Sequence, residues 1–284
     1  MEIINRRQRM FSIARKLRRE GKTVSFVPTM GALHAGHVEL VKQARKRAEV
    51  IVVSIFVNPT QFGQGEDFEK YPRDLMADTA LLADHNVDYV FAPEADEIYP
   101  DGFSTYVYVE NLTDSFEGAS RPGHFRGVTT IVAILLNTVR PDFAVLGQKD
   151  AQQVAVIRRM TRDLGFELEI VVVPTVREDS GLAMSSRNAY LGDNERQRAG
   201  VVYRALLAAK VAFKDGERSA VRLSQIVQDT IETEPEAIID YITVADWASL
   251  QPVDKVEDKE SIVAAAVRFG GVRLIDNVLL NPGQ

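Results

Sequence analysis

Apolar residues fall into two patterns along the chain. Short, nearly unbroken runs at Val24 to Val27, Val50 to Val57, Val87 to Phe91, Phe143 to Leu146 and Leu168 to Val173 read as strands buried on both faces. Between them apolar residues recur every three or four positions, the helical period. That period predicts helices over 38–48, 71–84, 127–140 and 151–164. Ile3, Ile4, Met10, Phe11, Ile13, Ala14 and Leu17 predict an amphipathic first helix. Thr105 to Val109 alternates and reads as an edge strand or hairpin arm. Strands alternating with helices predict an α/β fold with a doubly wound, Rossmann-like parallel sheet.

After about Val176 the pattern changes. Residues 177–188 are polar and loop-like, 194–213 and 219–233 read as helices, and 238–244 and 262–267 as strands. The expected division is a Rossmann-like domain over 1–176 and a smaller α+β domain over 177–284. The mixed charges of 254–260 read as a solvated loop.

Chemistry gathers where strands end. Pro28-Thr29-Met30-Gly31-Ala32-Leu33-His34-Ala35-Gly36-His37 joins a strand to a helix. Such a turn presents unpaired backbone N–H groups and the positive end of a helix to an anion. His34 and His37, three residues apart, can each donate to a phosphoryl oxygen, as cation or as neutral tautomer. A metal site is the rival reading, but with four His and no Cys in the chain a zinc cluster is poorly supplied.

Three more polar clusters follow apolar runs. Asn58 and Gln61 carry amides suited to hydroxyls and a carboxylate, although Asn58-Pro59 equally makes a turn. Gly147-Gln148-Lys149-Asp150 offers a mobile cation for phosphate, with Asp150 either a helix cap or a partner for metal or ribose. Met184-Ser185-Ser186-Arg187 places hydroxyls and a guanidinium together, a clamp for phosphates and for departing pyrophosphate. Ligands of open α/β sheets bind beyond the carboxyl ends of strands, so one cleft explains all four clusters. The basic loop 121–127 either binds an anion or closes over that cleft, and His124 by itself reads as structural.

Composition narrows the classes. A chain of 284 residues, 45% hydrophobic and 26% charged, can bury a sizeable core. No apolar run reaches the ~18 residues of a membrane span, and the basic N-terminus lacks the apolar stretch of a signal peptide. Absence of Cys removes thiol catalysis and fits a cytoplasmic protein. A net charge of −6 speaks against general nucleic-acid binding.

The chain resembles the pantothenate synthetase (pantoate–β-alanine ligase) family. The resemblance rests on PTMGALHAGH (28–37), FVNPTQF (56–62), DFEKYPR (67–73), RPGHFRGV (121–128), LGQKDAQQ (146–153), VPTVRE (173–178), GLAMSSRN (181–188) and RLIDN (273–277), in the family's order. HxGH alone is shared with nucleotidylyltransferases and class I aminoacyl-tRNA synthetases; the full set is far more specific. Two positions depart from the pattern: Gln148 stands where the family usually has an acidic residue, and Ala151 where it has an aromatic one.

The resemblance implies a two-step reaction. Pantoate attacks the α-phosphorus of Mg-ATP to give pantoyl adenylate, which β-alanine converts to pantothenate and AMP. It implies that Met30, Gly31, Ala32, Leu33, His34, Ala35, Gly36 and His37 line the ATP site, with His37 matching the proton donor. Gly147, Gln148, Lys149, Asp150 and Val176 contact the nucleotide, and Met184, Ser185, Ser186 and Arg187 complete a phosphate clamp. Gln61 and Gln153, with Asn58, hold pantoate and β-alanine. The metal's ligands stay unassigned, and the second domain is expected to close over the adenylate. The family also implies a homodimer. Against it stand an adenylyltransferase that releases the adenylate without an amine, and a nucleotide-binding module without catalysis.

Overall fold

The apolar runs pair as parallel strands. The computed structural model describes residues 1–282, and it falls into two compact units. The first unit holds β1 (Glu2–Ile4), β2 (Val24–Thr29), β3 (Val50–Ile55), β4 (Tyr89–Phe91), β5 (Phe143–Gly147) and β6 (Glu169–Val173). They form one sheet in the order β1-β4-β3-β2-β5-β6, parallel throughout. Its helices are α1 (Arg7–Arg19), α2 (Ala35–Arg45), α3 (Leu75–Ala83), α4 (Ala95–Ile98), α5 (Glu117–Ser120), α6 (His124–Val139) and α7 (Ala151–Asp163). Val24 to Val27 of β2 and Val50 to Ser54 of β3 are wholly buried, which is why these strands read as continuous apolar runs. The chain builds outward from β2 in one direction through β3 and β4, and in the other through β5 and β6. The switch in strand order therefore lies between β2 and β5, where open α/β sheets bind ligands.

Four expectations need correction. Ile3 and Ile4 are not helical: they lie in β1, paired with Val90 and Phe91 of β4. A three-residue strand is too short to show a period of its own. The helix expected from Tyr71 begins at Leu75, because the Asp74 carboxylate caps it by accepting from the N–H of Ala77 at 2.9 Å. Thr105 to Val109 is not a strand. Its backbone is held by α6 instead: Val107 N–H donates to Thr130 Oγ1 at 3.0 Å, and Thr129 Oγ1 donates to the Val107 carbonyl at 2.6 Å. The helix expected over 194–213 breaks at Ala199–Gly200, a break favoured by the low helix propensity of glycine.

The second unit comprises 148–151 and the chain from Pro174 onward. Helices α8 (Asp193–Arg198), α9 (Val201–Lys214) and α10 (Ala220–Ile231) accompany an antiparallel sheet, β7 (Ile238–Asp246), β8 (Ser261–Phe269) and β9 (Val272–Leu280), in that order. Leu206, Leu223, Val227, Val267 and Phe269 meet in its core. The fold is thus a Rossmann-like parallel sheet with a smaller α+β unit, as the pattern of the sequence predicts.

Candidate active site

In the first unit the polar residues after β2 and β3 meet, because these strands are neighbours in register. Thr29 Oγ1 donates to the Ser54 carbonyl at 2.7 Å and accepts from Gly31 N–H at 3.2 Å, which ties the end of β2 to β3 and starts the turn. Gly31 sits at φ +83°, where a side chain is strained, and a Cβ there would come within 2.8 Å of Asp78.

Asp78 is buried and accepts from the N–H groups of Ala32 at 2.9 Å and Leu33 at 2.8 Å. Burial pushes its carboxyl above the usual range, against the pull of those two bonds. No motif of the sequence points to this residue. Its one signal is a carboxylate one helical turn before Leu82, on the buried face of α3.

The turn differs from the expected nest of unpaired amides. From Gly31 to Val38, the backbone N–H groups of every residue but Ala35 are satisfied inside the protein. The imidazoles do part of this work. His34 Nδ1 accepts from Gly36 N–H at 3.1 Å and caps α2, while His37 Nδ1 accepts from His34 N–H at 3.3 Å. An Nδ1 that accepts carries no proton, so each neutral ring carries its hydrogen on Nε2. The rings lie together, centroids 4.2 Å apart. The turn thus holds both imidazoles with their Nδ1 atoms directed to its own backbone.

Asn58 precedes the 3-10 turn Pro59–Gln61, and Gln61 is its last residue. Asn58 is only 1% exposed, and its amide is engaged within the protein. Its Nδ2 donates to Gln61 Oε1 at 3.1 Å and to the Gly127 carbonyl at 3.2 Å, and its Oδ1 accepts from Thr60 Oγ1 and the Tyr99 hydroxyl. Asn58 thus braces Gln61, whose Nε2 lies 2.9 Å from Met30 Sδ. The loop after α5 supports Gln61 from behind. Arg121 pairs with Glu66, holding that carboxyl below its ordinary range against burial, and also reaches His124 Nε2 at 3.1 Å. His124 Nδ1 donates to the Gln61 carbonyl at 2.8 Å. His124 is structural, as read, and Arg121 already has an anion in Glu66.

The first turn of α6 presses on this loop: a Cβ on Gly127 would overlap the Thr60 carbonyl and approach Gln61 N within 2.6 Å. Gly127→Ala is expected to displace Gln61. On the expectation, drawn from the resemblance, that Gln61 holds pantoate, the KM for pantoate should rise roughly tenfold, about 1.4 kcal/mol, with the KM for ATP far less changed. Equal KM values for the variant and the parent would show that the loop absorbs the methyl group. Gln153, on α7, is half-buried.

The second unit carries the remaining candidates, all half-buried. Gln148–Asp150 is a 3-10 turn entered directly from Gly147, with Lys149 Nζ 3.5 Å from Asp150 Oδ1. Val176 accepts from the Met184 N–H at 3.0 Å. Ser185 caps the 3-10 turn Ser186–Tyr190 through the N–H of Arg187. β9 packs against both 3-10 turns. Its Asp276 forms a buried bidentate pair with Arg177, at 2.5 and 3.0 Å. The guanidinium carbon of Arg177 also lies 3.5 Å from the Tyr203 ring centroid.

A family model described as pantoate-beta-alanine ligase matches residues 2–279. The chain belongs to the pantoate–β-alanine ligase family. A relative from Heliobacterium modesticaldum named pantothenate synthetase is 54% identical over 280 residues, 99% of each chain. The pantothenate synthetase of Thermus thermophilus superposes with a TM-score of 0.92 at 46% identity, covering 99% of this chain and 100% of its own. The Francisella tularensis ligase, solved with β,γ ATP and β-alanine, gives a TM-score of 0.80 at 36% identity over 98% of this chain and 97% of its own. The chain is therefore an enzyme, a ligase of this family.

Proposed function

We propose that the HxGH turn and its flanking amides run an acyl-adenylate reaction. A carboxylate oxygen of pantoate attacks the α-phosphorus of Mg-ATP, the bond to the β-phosphate breaks, and pyrophosphate departs. The amine of β-alanine then attacks the acyl carbon and loses a proton, and AMP leaves with its oxygen. The products are pantothenate, AMP and pyrophosphate.

The observation that carries this assignment is the paired Nδ1 bonding of His34 and His37. With Nδ1 accepting, each neutral ring keeps its hydrogen on Nε2, which supports a role as a preset donor to charge developing on the phosphates. Both reactants of the first step are anions, so positive groups must offset their repulsion. Lys149 and Arg187 are the cations assigned to that role, with Ser185 and Ser186 as hydroxyl donors. Met30 to His37, Gly147 to Asp150, Val176 and Met184 line the nucleotide. Gln61 and Gln153 take the substrate carboxylate and hydroxyls, and Asn58 serves by holding Gln61 in place.

Mg2+ enters as part of Mg-ATP. Among the described residues no group of three or more His, Asp or Glu side chains is placed to hold a metal. No helix among those residues is long and apolar enough to cross a membrane. We place the enzyme in the cytoplasm as a homodimer, on the family reading.

The test is isotope exchange between pyrophosphate and ATP without β-alanine. Exchange that requires pantoate is expected. Exchange that ignores pantoate, or none at all, would exclude the adenylate route.

A further inference from the structure

The RLIDN segment of β9 has no role in the chemistry above, yet its last residue reaches the turn that bears Lys149. Asn277 is only 2% exposed. Its Nδ2 donates to the carbonyls of both Gln148 and Lys149, each at 3.0 Å, and its Oδ1 accepts from Gln148 Nε2 at 3.1 Å. All polar atoms of the side chain are thus spent on two consecutive residues. The turn they hold is a 3-10 segment of three residues, Gln148–Asp150, with Lys149 in the middle. So short a segment has few bonds of its own to fix its backbone.

Asn277 is itself anchored. Its N–H donates to Asp276 Oδ1 at 2.8 Å, and Asp276 is locked to Arg177 by the buried bidentate pair. A chain of polar contacts therefore runs from Arg177 through Asp276 and Asn277 to the peptide of Lys149. Lysine is a flexible point charge. Where its ammonium can reach is set by the direction in which its backbone launches it.

We propose that Asn277 is a positioning residue for Lys149: by clasping the carbonyls of Gln148 and Lys149 it fixes the turn from which the ammonium meets the phosphates. This rests on the phosphate-binding role assigned to Lys149. Loss of the clasp leaves the charge in place but disperses its position, so the loss should fall on kcat more than on the KM for pantoate.

The test is a double-mutant cycle in the full-length enzyme, with Asn277→Ala and Lys149→Ala alone and together, and kcat and KM measured for each. Asn277→Ala is expected to lower kcat by roughly ten- to a hundredfold in the parent and by less than about twofold in the Lys149→Ala background. The same factor in both backgrounds, or none in the parent, would overturn the proposal. Near-parental turnover of Lys149→Ala would overturn the Lys149 assignment and this role with it, an outcome distinct from additivity. Thermal melts establish folding of each variant. If Asn277→Ala does not fold, Asn277→Asp keeps the acceptor for Gln148 Nε2 but removes both Nδ2 donations, and must show a loss with the same dependence on Lys149. An additive loss there would overturn the proposal equally.

Discussion

His37→Ala is expected to lower kcat by about 10²- to 10³-fold, the cost of roughly 3–4 kcal/mol that follows removal of one preset donor to a developing oxyanion. The fold should survive. The ring gives up one helix-start bond, to His34 N–H, and such a cap contributes about 1 kcal/mol. The measurement is turnover at saturating substrates beside a thermal melt. Near-parental turnover would remove His37 from the chemistry, and a collapsed melt would make it a structural cap only.

Arg177→Met should have the largest effect on stability. It strands the buried Asp276 carboxylate and also removes the stacking on Tyr203 and the bond to the Gly181 carbonyl at 3.1 Å. Breaking a buried pair from one side costs about 3–5 kcal/mol. The dependence on pH has a definite sign. Burial pushes the Asp276 carboxyl up, and the Arg177 guanidinium opposes it. With the guanidinium gone the folded pKa rises further above the unfolded one. The variant is then least impaired at low pH, where the carboxyl is protonated in both states, and loses stability as pH rises through the unfolded and then the folded value. Melts from about pH 3 to about pH 8 check this, because the unfolded carboxyl titrates near roughly 3.9. A variant equally impaired at every pH would mean that the carboxylate finds another partner. Arg177→Met with Asp276→Leu should be milder than Arg177→Met alone, since it buries no stranded charge.

The parallel sheet was legible because strands buried on both faces leave continuous apolar runs, and β2, β3, β5 and β6 lie close to where those runs fall. β1 was not, because its three residues reveal their partner only in the folded sheet. Thr105 to Val109 alternates like a strand but spends hydrogen-bonding groups on threonines of α6, a choice that periodicity does not encode. At the site, the residues proposed to face the chemistry announced themselves by type and by place at strand ends. Their supports did not. Asp78 is 46 residues from the amide of Ala32 that it holds, and Asn277 is 129 from Gln148. Such pairings follow from the tertiary fold alone. The departure at Gln148 does gain an account: its amide donates to Asn277, a bond that a carboxylate in its place cannot make. Nothing in the structure explains Ala151.

The ligase reading is tested most directly by AMP release with ATP, pantoate and β-alanine present together and with each omitted in turn. Continuous AMP release matched by pantothenate is expected only from the complete mixture. Without β-alanine, at most about one AMP-equivalent per site should be held as adenylate, because the amine supplies the second step. Steady turnover in the absence of β-alanine, or ATP bound without turnover in the complete mixture, would contradict it.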